Sequence, residues 1–172
     1  MYRVSPANVS VRRTCEPLYE RHQATPVECS LDPTLAAATT AIYSGMVMSR
    51  TGADTVGIYD SSDDNMVPWG LAALDRNTEI DDLDGLDSPL FSVWQGGPDA
   101  YFKIHAPAFD TEETWTVPTD GSMQPVYADA SGVLVTTDDG HPIGELVEVI
   151  DENTIVIRLG VLPTSTLITP AP

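Results

Sequence analysis

Residues 125–162 read PVYADASGVLVTTDDGHPIGELVEVIDENTIVIRLGVL, and the fold is decided there. Three runs in it, Val133-Leu134-Val135, Leu146-Val147-Glu148-Val149-Ile150 and Thr154-Ile155-Val156-Ile157-Arg158-Leu159, are rich in β-branched residues and bounded by Gly, Asp or Asn. Branched side chains suit a pleated, half-buried surface and the bounding residues suit turns, so the stretch predicts a β meander. Asp151-Glu152-Asn153 has the length of a hairpin loop between the second and third runs. Gly132 and Gly144 open runs, where a positive φ or a bulge would be available.

The same pattern extends upstream. Strands are predicted over Tyr43-Ser44-Gly45-Met46-Val47-Met48, Thr55-Val56-Gly57-Ile58-Tyr59 and Trp69-Gly70-Leu71-Ala72-Ala73-Leu74. Leu90-Phe91-Ser92-Val93-Trp94 and Ala100-Tyr101-Phe102-Lys103-Ile104 flank Gln95-Gly96-Gly97-Pro98-Asp99, which predicts a hairpin with Trp94, Tyr101 and Phe102 as cross-strand or core aromatics. Asp32-Pro33 pairs an N-cap with a proline suited to the first helical position, so one short helix is expected through Ala38 before Thr39 and Thr40 weaken it. The fold class is therefore mainly β with at most one short helix. Gly57 stands eleven residues before Pro68-Trp69-Gly70, and Gly132 ten before Pro142-Ile143-Gly144. A Pro-x-Gly entering a strand twice is either an internal duplication of a β layer or a chance likeness of short motifs.

Three segments follow from composition. Residues 1–33 contain Pro6, Pro17, Pro26 and Pro33 without sustained periodicity, and predict an extended arm, docked on a partner or free. Residues 34–162 form a β-rich body with an inserted acidic loop and hairpin at about 77–105, and residues 163–172 form a tail.

The charge is lopsided: 8 Lys and Arg against 26 Asp and Glu give −18 at pH 7, with a pI near 4.1. In residues 1–33, Arg3, Arg12, Arg13 and Arg21 balance Glu16, Glu20, Glu28 and Asp32, so the whole excess sits on the body. Such a field repels phosphate, which argues against direct nucleic-acid or anionic-membrane binding. No run reaches the roughly 18 apolar residues of a membrane-spanning helix, and the first residues lack the basic-then-apolar order of a secretory signal. Cys15 and Cys29 could close one loop or stand as two free thiols, and no nearby Cys or His set completes a metal site.

No constellation demands a cofactor. Asp82-Leu83-Asp84-Gly85-Leu86-Asp87 is superficially like part of a calcium loop but lacks the acid that closes the twelve-residue pattern, which leaves a solvated acidic loop. Asp139 and His141 could pair as acid and base, yet no nucleophile is spaced to join them. Asp120-Gly121-Ser122-Met123 resembles the nucleophile region of LexA-type and signal-peptidase-like serine proteases, whose mechanism needs a desolvated lysine beside the serine. Ile157 stands at the lysine's place, Arg158 stays protonated, and Lys103, the single lysine, precedes the serine. The expectation is a protein that is not an enzyme.

Ser44-Gly45-Met46-Val47, Val67-Pro68-Trp69-Gly70-Leu71, Gln124-Pro125-Val126-Tyr127, Gly132-Val133-Leu134-Val135, Pro142-Ile143-Gly144 and the closing Ile155-Val156-Ile157-Arg158-Leu159-Gly160 carry a further likeness. Over about residues 42–162 the chain resembles the β-tulip-like decoration proteins of tailed-bacteriophage capsids. The resemblance implies a small β-barrel or β-tulip-like domain and a head-stabilising virion protein on the outer capsid surface. Such a protein, assembled in the host cytoplasm, bridges neighbouring subunits of the major capsid protein. It further implies a homotrimer, no cofactor, and an anchoring arm in which Arg12, Arg13 and Arg21 make ionic contacts and Val9, Val11, Leu18 and Tyr19 apolar ones. The competing reading is a carbohydrate-binding or adhesion module of a virion, exposing at least two of Trp69, Trp94 and Trp115 in a shallow groove.

Overall fold

In the computed structural model, residues 14–18, 26–37, 40–76, 90–96, 100–138 and 140–160 are described. They are organised by strand pairing. In chain order the elements are β1 (Cys15–Pro17), β2 (Pro26–Leu31), α1 (Pro33–Ala37), β3 (Val47–Arg50), β4 (Thr55–Ile58), β5 (Pro68–Ala72), β6 (Leu90–Trp94), β7 (Tyr101–His105), β8 (Gln124–Ala128), β9 (Leu134–Val135), β10 (Gly144–Asp151) and β11 (Thr154–Leu159). The mainly β class with one short helix is what the sequence predicts. β2-β4-β3-β5-β6 close into a barrel, and β1-β7-β11-β10-β8-β9 form a six-stranded sheet.

The stretch that decides the fold supplies the sheet's centre. β11 lies between β7 and β10, and all its residues except Arg158 are buried, as a near-continuous apolar run in a central strand should be. The predicted hairpin joins β10 to β11, with Asp151 opposite Thr154. β7 alternates, burying Phe102 and Ile104 between half-exposed neighbours. Gly132 has φ +74°, as its turn requires.

The two halves of the chain repeat one arrangement. In the first, β3 lies between β4 and β5, β5 pairs with β6, β6 pairs antiparallel with β2, and β2 runs parallel to β4. In the second, β8 lies between β9 and β10, β10 pairs with β11, β11 pairs antiparallel with β7, and Phe109, just after β7, forms a parallel bridge to Leu134 in β9. The Pro-x-Gly echo falls at matching places. A Cβ on Gly70 would lie 2.2 Å from the Trp94 carbonyl oxygen in β6, and one on Gly144 would lie 2.1 Å from the Arg158 carbonyl oxygen in β11. Gly144 is there for close approach of a neighbouring strand, not for the positive φ or bulge the sequence suggests. Of the two explanations for the echo, duplication fits the topology.

Two further expectations need correction. Leu90–Trp94 and Tyr101–His105 do not pair as a hairpin: β6 completes the barrel and β7 enters the sheet, so neither belongs to an insertion. The chain crosses from one unit to the other between β6 and β7, and the Trp94 ring packs against Phe102 with centroids 5.8 Å apart. The second correction concerns the extended arm, because residues 15–17 and 26–31 are strands of the body. In β2, Cys29 and Leu31 are buried at alternate positions. That period of two was present in Val27, Cys29 and Leu31 but was obscured by the prolines.

The helix forms where expected. Asp32 accepts a hydrogen bond from the Thr34 backbone N–H at 2.9 Å, and the Arg76 guanidinium donates to the carbonyls of Leu35 (2.7 Å) and Ala36 (2.5 Å). Five residues are too few to sustain a helix alone, so these contacts at both ends hold it.

Candidate functional site

β1 lies at the edge of the six-stranded sheet and ties the N-terminal segment to the body. Its register places Cys15 opposite Ile104 and Pro17 opposite Phe102. Two further bonds extend the ladder: the His105 N–H donates to Thr14 O at 2.7 Å, and the Leu18 N–H to Tyr101 O at 3.0 Å. A polar clasp fixes the start of the strand to the barrel side. The Thr14 hydroxyl lies 2.5 Å from Ser44 O and 3.1 Å from Asp75 Oδ1, Ser44 Oγ accepts from the Cys15 N–H at 3.1 Å, and the Ser44 N–H donates to Asp75 at 2.5 Å. Thr14 and Ser44 are buried, so each polar atom in the clasp needs the partner it has. Cys15 and Cys29 are free and buried in different sheets. Burial pushes both thiols up, Cys29 to about 11, which keeps them protonated at neutral pH.

Of the predicted anchoring residues, Leu18 is described: half-buried, it follows β1 and is bound through its backbone to Tyr101. Val9, Val11, Arg12, Arg13, Tyr19 and Arg21 lie outside the described residues, as do the predicted acidic loop from Asn77 to Ser88 and Asp139. The strand divides the set, with Val9, Val11, Arg12 and Arg13 before it and Leu18, Tyr19 and Arg21 after it.

The arginines of the body have partners within it. Arg158 pairs with Glu145 at 2.8 Å, Arg76 caps α1, and Arg50 lies 5.3 Å from the Trp69 ring centroid while donating to Ala53 O. Lys103 stands opposite Glu16 in the β1–β7 register. The acids serve turns. Asp60 is held below the usual carboxylate range by the Ser62 hydroxyl and N–H, Asp120 likewise by Ser122, and Asp151 chiefly by the Asn153 N–H. Glu113 binds Thr136 and Thr137 through backbone and hydroxyl donors. Partial burial pushes its carboxyl up, but those hydrogen bonds outweigh it and leave the group below its ordinary value.

The exposed Ser122 donates its hydroxyl to Asp120 at 2.6 Å in a local turn, and Lys103 is on β7, separated from β8 by β11 and β10. His105 is half-buried and its Nδ1 lies 3.2 Å from the Thr154 hydroxyl, while His141 is exposed. Among the described residues, no group of three or more His, Cys, Asp or Glu is placed to hold a metal ion, and no helix is long and apolar enough to cross a membrane. Trp94 is buried, Trp69 is half-buried against the core, and Trp115 packs edge-on to Phe109 with its Nε1 donating to Asp110 O. A shallow groove lined by two exposed indoles is not formed by these rings.

The described surface thus offers a tethered strand, a cation-depleted anionic body and no assembled catalytic group among the residues considered. Such a surface is suited to binding by shape and charge. No curated protein and no solved structure matches the chain. A family model described as phage cement protein matches residues 1–169, which embraces both β units and the segment before them. The chain belongs to the phage cement protein family, and is a structural protein of the phage virion that binds and stabilises the capsid.

Proposed function

We propose that the protein sits on the outer capsid surface and bridges neighbouring major capsid subunits, anchored by the segment that precedes β1. The observation that carries this reading is the distribution of cations. Arg50, Arg76 and Arg158 have partners within the body, whereas Arg3, Arg12 and Arg13 precede the first strand beside the apolar Val9 and Val11. With a net charge of −18 concentrated on the body, a cationic and apolar leader is the natural place for contact with a larger assembly. Many copies acting together stabilise a shell even when each binds modestly. We further propose a homotrimer, assembled in the host cytoplasm, with Tyr19 and Arg21 in a secondary contact beyond Leu18.

Removing residues 1–13 leaves β1, the clasp at Thr14 and β2 in place, unlike removal of 1–33, which takes out a barrel strand. The expected outcome is a truncated protein with an unchanged unfolding midpoint that no longer co-sediments with expanded capsids. Capsid binding equal to that of the full chain would overturn the assignment of the anchor.

A further inference from the structure

One end of the six-stranded sheet combines three features. Across it run Thr14, His105, Thr154 and Asp151: the His105 N–H donates to Thr14 O, His105 is paired with Thr154, and Thr154 with Asp151. Thr14, the first described residue, therefore lies at the same end of the sheet as the tip of the β10–β11 hairpin, with β7 between β1 and β11. β10 also overhangs there, because β8 pairs with it from Gly144 to Leu146 and β10 continues to Asp151. Register shifts between Leu146 and Glu148 and between Val149 and Asp151 break the in–out alternation, leaving Val149 38% and Ile150 47% exposed side by side.

The repeated unit does not require this overhang. With Gly70 and Gly144 as equivalent points, β5 ends two residues on at Ala72, whereas β10 runs seven residues on to Asp151. The extra strand carries Glu148 and Asp151 around its two apolar side chains, and Glu152 follows in the turn. Bulges and charges of this kind oppose a long strand-to-strand ladder, so the contact it suits is one of side chains.

We infer that the β10 overhang, centred on Val149 and Ile150, is a second docking surface that faces the shell, and that it fits an apolar patch on the major capsid protein rimmed by Lys or Arg. The inference rests on the capsid-binding role and fixes the orientation of the body: the end at which Thr14 lies is the end that meets the shell. Charge selects the occupant. The rim is acidic, and the body of a second copy is itself strongly anionic, with its described arginines committed within its own fold and Lys103 its one other cation, so a capsid surface suits the rim better than another copy's body.

The test uses the full chain and expanded capsids lacking it. Val149→Ser/Ile150→Ser is expected to weaken capsid binding roughly tenfold or more, with unfolding midpoint and self-association unchanged. Leu74→Ser, at an exposed apolar position elsewhere (49%), is expected to bind as wild type. Independently, Ile150→Cys should react with a bulky maleimide in the free protein and be protected on capsids, because Cys15 and Cys29 are buried. Unaltered binding by the double variant together with an unprotected Cys at 150 would overturn the inference. So would a double variant that loses self-association while still binding capsids, since that assigns the face to a second copy. Failure of the wild-type chain to bind capsids at all would instead bring down the role on which the inference rests, and the inference with it.

Discussion

At seven aspartates among the described residues, Asp32, Asp60, Asp63, Asp110, Asp120, Asp129 and Asp151, the carboxylate accepts a hydrogen bond from the backbone N–H two residues on. The acidity of the chain is thus partly an architectural choice, since each such turn needs a short acceptor and aspartate is one. This shapes the response to pH. Asp32, Asp60, Asp120 and Asp151 have carboxyls held below their ordinary value of 3.8, so their contribution to stability is present above that value and is lost as pH falls through the lower, folded value. Self-repulsion acts in the opposite sense, easing as pH falls from 7 towards the pI near 4.1. The urea midpoint is therefore expected to rise on acidification from pH 7 to about 5 and to fall below about 4. A midpoint that kept rising below pH 3 would show that the turns contribute nothing.

At the scale of elements, the glycines of the repeated motif are demanding positions, because a Cβ at either would meet a carbonyl of the neighbouring strand. Gly144→Ala would drive a methyl into the Arg158 carbonyl between β10 and β11, where neither strand can move without breaking its ladder, and is expected to cost more than about 2 kcal/mol. Gly121→Ala is the control. Gly121, unlike Gly144, lies at positive φ (+85°), but a Cβ there meets nothing within 4 Å, so only backbone strain of about 1 kcal/mol is expected. Equal losses for both in chemical denaturation would refute the close-approach account. The elements show what the sequence could convey. β11, β10 and their hairpin were legible because apolar runs and turn residues agreed with one another. The pairing of β6 and β7 was not legible, because a Gly-rich loop between two strands looks the same whether the chain folds back or crosses into another sheet. β2 is hard to see in the sequence because it opens on Pro26 and Pro33 follows it closely, although its alternating residues are in plain view.

At the scale of the whole molecule, the barrel and the sheet share one apolar core, to which both Trp94 and Phe102 contribute, and the Val47 N–H in β3 donates across to Gly132 O at 2.7 Å. They are expected to unfold together: tryptophan fluorescence and far-ultraviolet dichroism should give coincident transitions, and two resolved steps would contradict a common core. The docking surface could not be read from sequence for a physical reason. Val149 and Ile150 look like interior residues in a strand pattern, and only the register shifts and the early end of β8 turn them outward. The anionic body, by contrast, was evident from composition alone. Because one polypeptide carries the five-stranded unit twice, its two units are joined by a covalent link and meet at an effective concentration on the order of millimolar, however dilute the solution. A single molecule released into a large volume would keep its halves together where two separate chains would drift apart, and so would reach a distant particle with its binding side already assembled.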